Sequence, residues 1–167
     1  MDEVKHRRVV LGNPGLAGGG GVVRDWTGRW IVGFTRKISI TTSLLAELWA
    51  IRDGLMLCIE RNFSKVEVEL GAKAIVDMLT DLQYDNMSIS LILKDCKLLV
   101  SQIPQTKIKH CYREANRCAD TLARNGAELN ASLVVFDSPP LDILNVVEAD
   151  IRGVCLDRLY PGRLVLA

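Results

Sequence analysis

Residues 113–123 read REANRCADTLA, a stretch that sets one acid, Asp120, in a defined frame of polar and apolar neighbours. Wound as a helix, it puts Asn116, Asp120 and Ala123 on one stripe and Ala115, Ala119 and Leu122 on an adjoining apolar stripe that packs inward. Asp120 therefore stands at the edge of the buried face. A carboxylate there is costly to desolvate unless it is paired or meets a cation, which makes it a candidate site residue. An ordinary helix-edge acid is the competing reading.

Working outward, residues 106–111 read as a strand, entered after Pro104 and closing on His110 and Cys111. Before it lie two helical segments, 72–82 and 88–102, and a strand, 65–70. In that strand Val66, Val68 and Leu70 alternate with Glu67 and Glu69, the period of a strand with one packed face, and it ends at Gly71. Further upstream a helix spans about residues 43–61, with Ser43 as its expected cap and Leu44, Leu48, Ile51, Leu55 and Ile59 as its apolar stripe. Glu47 falls between Leu44 and Ile51, a charge that the apolar face does not explain, whereas Arg52 and Asp53 are expected to point away. A hairpin precedes this helix, with strands 21–25 and 29–36 joined at Trp26, Thr27 and Gly28. Gly12, Asn13, Pro14 and Gly15 form a turn before it, and Val9, Val10 and Leu11 a short leading strand. Beyond Gly126 the pattern weakens, and residues 137–167, opened by the turn Asp137-Ser138-Pro139-Pro140, are expected as a tail laid on the surface or an exchangeable segment. Strands alternating with helices in this order predict an α/β domain whose mixed sheet is covered by helices.

Composition narrows the function classes. A chain of 167 residues with 49% hydrophobic content is long enough for one domain with a proper core. Its net charge of +1 excludes a basic arm that holds nucleic acid by bulk charge. Five scattered cysteines show no paired spacing for zinc and read as reduced thiols, and MDEVKHRR lacks the apolar run of a signal peptide. An intracellular protein, cytoplasmic or nuclear and without a membrane partner, is the expectation. Two acids at the inner edges of different helices, Glu47 and Asp120, are the oxygen donors that a hard cation such as magnesium takes, although phosphodiester hydrolysis by paired metals generally uses more than two.

Taken in order, GNPGLAGGGGVVRD, GRWIVGFTRKI, SLLAELWAIRDGL, VEVELGAKAIVD and KHCYREANRCADTLAR resemble the ribonuclease H type 1 fold, and more closely the plant ribonuclease H-like domains related to retrotransposon reverse transcriptases. The resemblance covers residues 11–136 and places a ribonuclease H-like domain at 9–136 ahead of the tail 137–167. It implies a five-stranded mixed sheet with helices on both faces, its first strand shortened here. It also implies a site of four acids and two magnesium ions that cleaves the RNA strand of an RNA–DNA hybrid. By resemblance the second acid matches Glu47 and the fourth Asp120, while the third position holds Gly71 and the first falls at Arg7 or Arg8. His110 matches a histidine that assists product release, beside the plainer reading of a strand-end histidine. Glu69 shares a strand face with Gly71 but is displaced by roughly 6 to 7 Å, too far to replace the missing ligand in an unchanged geometry. Asp2 and Glu3 would need a refolded terminus, and Arg7 competes with magnesium for the remaining carboxylates.

The expectation is a nucleic-acid-binding domain with weak or lost catalysis. A working magnesium-dependent hybrid ribonuclease and a non-catalytic protein-interaction module are the alternatives. Contacts to RNA–DNA hybrid or RNA are expected from Gly12, Asn13, Pro14 and Gly15, from Thr42 and Ser43 where simple helix capping competes, and from Asn116. Arg36, Lys37, Lys107, Lys109 and Arg113 add a modest positive set, so binding is expected to be weak and salt-sensitive.

Overall fold

The computed structural model describes residues 15–84, 86–112, 117–152 and 162–166. The chain opens with a hairpin, β1 (Gly15–Arg24) and β2 (Trp30–Thr41), paired antiparallel from Gly15↔Thr41 to Arg24↔Trp30. Asp25 shapes its turn, its Oδ1 accepting from Thr27 N (2.8 Å), Thr27 Oγ1 (2.6 Å) and Arg29 N (3.0 Å), while Gly28 takes a φ of 85° that a side chain rarely adopts. Helix α1 (Ser43–Glu60) follows, then β3 (Lys65–Leu70), α2 (Lys73–Thr80), α3 (Ser90–Gln102), β4 (Gln105–His110), α4 (Arg117–Ala127), β5 (Leu133–Phe136), a 3-10 turn at Leu141–Ile143, α5 (Leu144–Arg152) and β6 (Gly162–Leu166). Among the described residues no helix is long and apolar enough to cross a membrane.

The six strands form one mixed sheet in the order β4-β3-β6-β1-β2-β5. β3 runs parallel to β4 and to β6, β1 is antiparallel to β6 and β2, and β5 closes the far edge against β2. The predicted α/β architecture with a mixed sheet is therefore present, with six strands rather than five. The expected leading strand at residues 9–11 lies outside the described residues.

Strand alternation divides the core. On one face Val23, Phe34, Val66, Val68, Leu70, Leu164 and Leu166 pack against Leu48, Ile51 and Leu55 of α1 and Leu93 and Cys96 of α3. On the other face Val22 and Val165 meet Cys118, Ala119 and Leu122 of α4 and Ile143 and Val147 from the segment after β5. Both faces are apolar at the centre, which is why β6 reads as an unbroken Leu-Val-Leu run.

Two expectations need correction here. Residues 143–147 and 164–166 are not laid over the surface, since Ile143 and Leu164 are fully buried and β6 pairs on both sides in the middle of the sheet. An unpaired strand edge on each of β1 and β3 is satisfied by this pairing, so the late segment is drawn inward by its hydrogen bonds as well as by apolar burial. Arg24 and Asp150 help to hold it, forming a 2.9 Å ion pair with both side chains 3% exposed, while Asp150 Oδ2 also accepts from Cys118 N (3.1 Å) at the start of α4. The other correction concerns the start of α1, where Thr42 is the cap, its hydroxyl accepting from Leu45 N at 3.3 Å, and Ser43 is the first helical residue.

Candidate functional site at the carboxyl edge of the central strands

The glycine run Gly18–Gly21 lies inside β1, earlier than the strand was expected to start, and helices on both faces explain it. A Cβ at Gly18 or Gly20 would overlap the backbone of Ala123 on α4. A Cβ at Gly19, on the opposite face, would stand 3.3 Å from Ala50 Cβ and 3.6 Å from the Ala46 carbonyl oxygen of α1. Thus α4, which carries Asp120 three residues before Ala123, and α1, which carries Glu47 next to Ala46, press on opposite faces of the same few glycines. Glu47 and Asp120 are both half-buried, as their positions at the edges of the apolar stripes predicted.

Three parallel strands reach the neighbouring sheet edge together. Leu70 pairs with Leu166 of β6 and with His110 of β4, and Gly71 continues past β3 as an exposed residue. Cys111 N donates to Leu70 O at 2.9 Å and extends the pairing by one residue. His110 Nε2 lies 3.2 Å from the Gly71 carbonyl oxygen; because a carbonyl only accepts, this bond places the ring proton on Nε2. The ends of β6, β3 and β4 thus bring Leu166, Gly71 and His110 side by side, none of which carries a carboxylate side chain.

The nearest acids on β3 are otherwise engaged. Glu67 and Glu69 are buried at 1% and 2% exposure. Lys109 Nζ reaches Glu67 Oε1 at 2.5 Å and Glu69 Oε1 at 3.1 Å, and Lys107 Nζ lies 3.4 Å from Glu67 Oε2. Burial works to lower the Lys109 pKa, but hydrogen bonds and charge from Glu67 and Glu69 outweigh it and hold the ammonium above its ordinary value of 10.5. Glu69 is consequently committed to a lysine and displaced from Gly71. Among the described residues no group of three or more His, Cys, Asp or Glu side chains is placed to hold a metal ion. Of the four positions implied by the resemblance, Gly71 supplies no side chain at the third, and the first, at Arg7 or Arg8, lies outside the described residues.

A sequence profile described as reverse transcriptase-like matches residues 8–126, well over half of the chain. The chain belongs to the reverse transcriptase-like family. A candidate ribonuclease H protein of Arabidopsis thaliana is 36% identical over 142 residues, 85% of this chain, and the chain spans 23% of that relative's length. Among solved structures, the ribonuclease H1 of the halophilic archaeon Halobacterium salinarum superposes with a TM-score of 0.66 at 24% identity, covering 70% of this chain and 89% of that one. A ribonuclease H1 isolated from compost gives 0.64 at 25% identity, with 70% and 88% covered. The same compost enzyme in complex with RNA/DNA hybrid gives 0.60 at 26% identity, with 70% and 89% covered. The fold is that of ribonuclease H1.

Within this ribonuclease H-like domain the remaining candidates separate clearly. Lys107 and Lys109, expected as free positive charge, are neutralised by Glu67 and Glu69, and the signal was available in the cross-strand register Glu67↔Lys107 and Glu69↔Lys109. Arg36 is likewise taken: its guanidinium grips Asp53 through Nε–Oδ2 and Nη2–Oδ1 (3.0 Å) and lies 5.3 Å from the Trp49 ring centroid, with Arg52 at 5.5 Å. Asp53, expected to point away, is 4% exposed and ties α1 to β2. Lys37 is exposed. Thr42 caps its helix, Ser43 is exposed beside it, and Gly15 is buried at the start of β1 opposite Thr41. Arg7, Gly12, Asn13, Pro14, Arg113 and Asn116 lie outside the described residues.

Proposed function

We propose that this is a ribonuclease H-like domain that binds RNA–DNA hybrid or RNA and in which metal-dependent cleavage is weak or lost. The observation that carries the reading is the sheet edge itself, where β6, β3 and β4 end in Leu166, Leu70 and His110 and Gly71 follows β3 without a side chain, so that Glu47 on α1 and Asp120 on α4 are the two acids that remain of the implied set. Hydrolysis by paired metals needs acids that hold both ions and the attacking water in one geometry, and two carboxylates from opposite sides of a strand hold at most one cation loosely. Magnesium is the cation that such hard oxygen donors take, and its affinity for this chain is expected to be low. Nucleic-acid binding is supported by the hybrid held by the compost ribonuclease H1. With Arg36, Lys107 and Lys109 all paired to acids, that binding is weak and falls with added salt. A plant, retrotransposon-derived origin accords with the family match and with the Arabidopsis relative, and an intracellular location with the cysteines at 58, 96, 111 and 118, which are not joined in disulfides.

The test is cleavage of an end-labelled RNA–DNA hybrid with and without magnesium, together with a salt-dependent binding titration on the same hybrid. Retarded or bound hybrid with no magnesium-dependent product is expected. Magnesium-dependent product that disappears on Glu47→Gln or Asp120→Asn would show a working enzyme instead. Binding that ignores salt and does not distinguish hybrid from duplex DNA would point to a protein-interaction module.

A further inference from the structure

Tyr112, the second residue after β4, takes no part in the core. It is 76% exposed, against 39% for Trp26 in the hairpin turn, yet it is oriented. Its ring meets His110 edge to face, centroids 5.4 Å apart and planes inclined by 77°, and His110 is in turn held to the Gly71 carbonyl by its 3.2 Å hydrogen bond. The aromatic ring therefore stands at the same edge as Gly71 and the end of β6, with most of its surface open and its orientation supported from one side. An aromatic side chain so presented loses little further freedom when a planar ligand stacks on it.

The surroundings narrow the ligand. Among the described residues, the strand-end side chains of Leu166, Leu70 and His110 beside Tyr112 carry no carboxylate. The nearest strand lysines are neutralised by Glu67 and Glu69, so bulk attraction does not supply the affinity at this edge. A paired base inside a duplex has both faces covered by its neighbours, whereas an unpaired base can swing out and offer a face to an aromatic ring. We infer that Tyr112 is a stacking residue for an unpaired nucleobase, supported by His110 as its positioning partner. This inference rests on the nucleic-acid-binding reading and adds to it a preference for hybrids that carry a single-stranded overhang.

Fluorescence anisotropy on two labelled RNA–DNA hybrids, one blunt and one with a single-stranded RNA overhang, tests it. Tyr112→Ala is expected to weaken binding of the overhang hybrid by roughly five- to hundredfold, the range for losing one base–aromatic stack. The slope of log affinity against log salt stays unchanged, because no phosphate contact is removed. Tyr112→Phe retains the affinity, and the blunt hybrid is bound equally by all three proteins. Tyr112→Trp adds a direct readout, in which the extra indole emission is quenched on addition of the overhang hybrid. If the wild type binds the overhang hybrid and Tyr112→Ala binds it equally well, the stacking role is overturned while nucleic-acid binding stands. If the wild type binds neither hybrid, both readings fall together. Because the side chain is exposed, circular dichroism of the variants is expected to match the wild type.

Discussion

Truncating Leu164 to alanine isolates the part of the fold that the local sequence pattern concealed. Leu164 is fully exposed to the core and to no solvent, at 0% exposure, centred in β6 with Val68 of β3 on one side and Val23 of β1 on the other. Its two methyl groups lie over Gly54 of α1, 2.8 and 2.9 Å from where a Cβ would stand. Removing them leaves a void roofed by Gly54, which has no side chain to fall in, and floored by strands hydrogen-bonded on both flanks. Collapse around the site is therefore limited, and the cost belongs in the upper half of the range for buried leucine truncations, about 3 to 5 kcal/mol. With a urea slope of about 2 kcal/mol/M, the unfolding midpoint should fall by roughly 1.5 to 2.5 M. Far-UV circular dichroism across a urea titration reads this shift, with Leu141→Ala as the control. Leu141 is 87% exposed in the same late part of the chain, and its truncation should move stability by less than about 0.5 kcal/mol. A Leu164→Ala midpoint indistinguishable from that of the control would refute the placement of β6 between β1 and β3.

Other consequences follow from the same packing. Gly20→Ala drives a methyl into the backbone of Ala123, so it should destabilise by about 1 to 3 kcal/mol or more in the same urea assay and shift α4 off the sheet. Asp150→Asn leaves Arg24 buried without its counter-charge and should cost about 3 to 5 kcal/mol, whereas Arg24→Met with Asp150→Leu should cost far less; equal losses in the two proteins would sink the ion-pair account. Because the Lys109 pKa is raised on folding, the stability it contributes is complete below the ordinary value near 10.5 and is lost as pH rises through the folded-state value. Thermal melts should consequently drop more steeply above pH 10.5 in the wild type than in Lys109→Met. Burial pushes the Cys58 and Cys96 thiols up to about 12, so neither should react with a thiol reagent at neutral pH until the chain is unfolded in denaturant, as peptide mapping would show. Gly71 is exposed and does not adopt positive φ, so Gly71→Asp should fold normally and, with Glu47 and Asp120, raise magnesium affinity measured by calorimetry above that of the wild type.

Elements whose evidence is local were legible in the chain. The stripe from Leu44 to Ile59 marked α1, the alternation from Val66 to Leu70 marked β3, and the edge positions of Glu47 and Asp120 marked the two half-buried acids that the structure retains. Charges told a different story. Glu67 and Glu69 fall on the polar phase of β3 and were read as the unpacked face, and Asp53 was read as pointing away, yet all three are buried beside a lysine or arginine from another element. The positive set expected for nucleic acid lost Arg36, Lys107 and Lys109 to those same acids.

By itself the sequence determined the strands and helices between the hairpin and Gly126, and that position 71 carries no acid, because propensity, periodicity and residue identity act within a few positions along the chain. Only the tertiary structure decided that Gly162–Leu166 fills the centre of the sheet and that the buried acids find their cations. Strand pairing and ion pairing over such separations are settled by which backbone edges and charges would otherwise be buried unsatisfied, and that is a property of the assembled fold rather than of any segment within it.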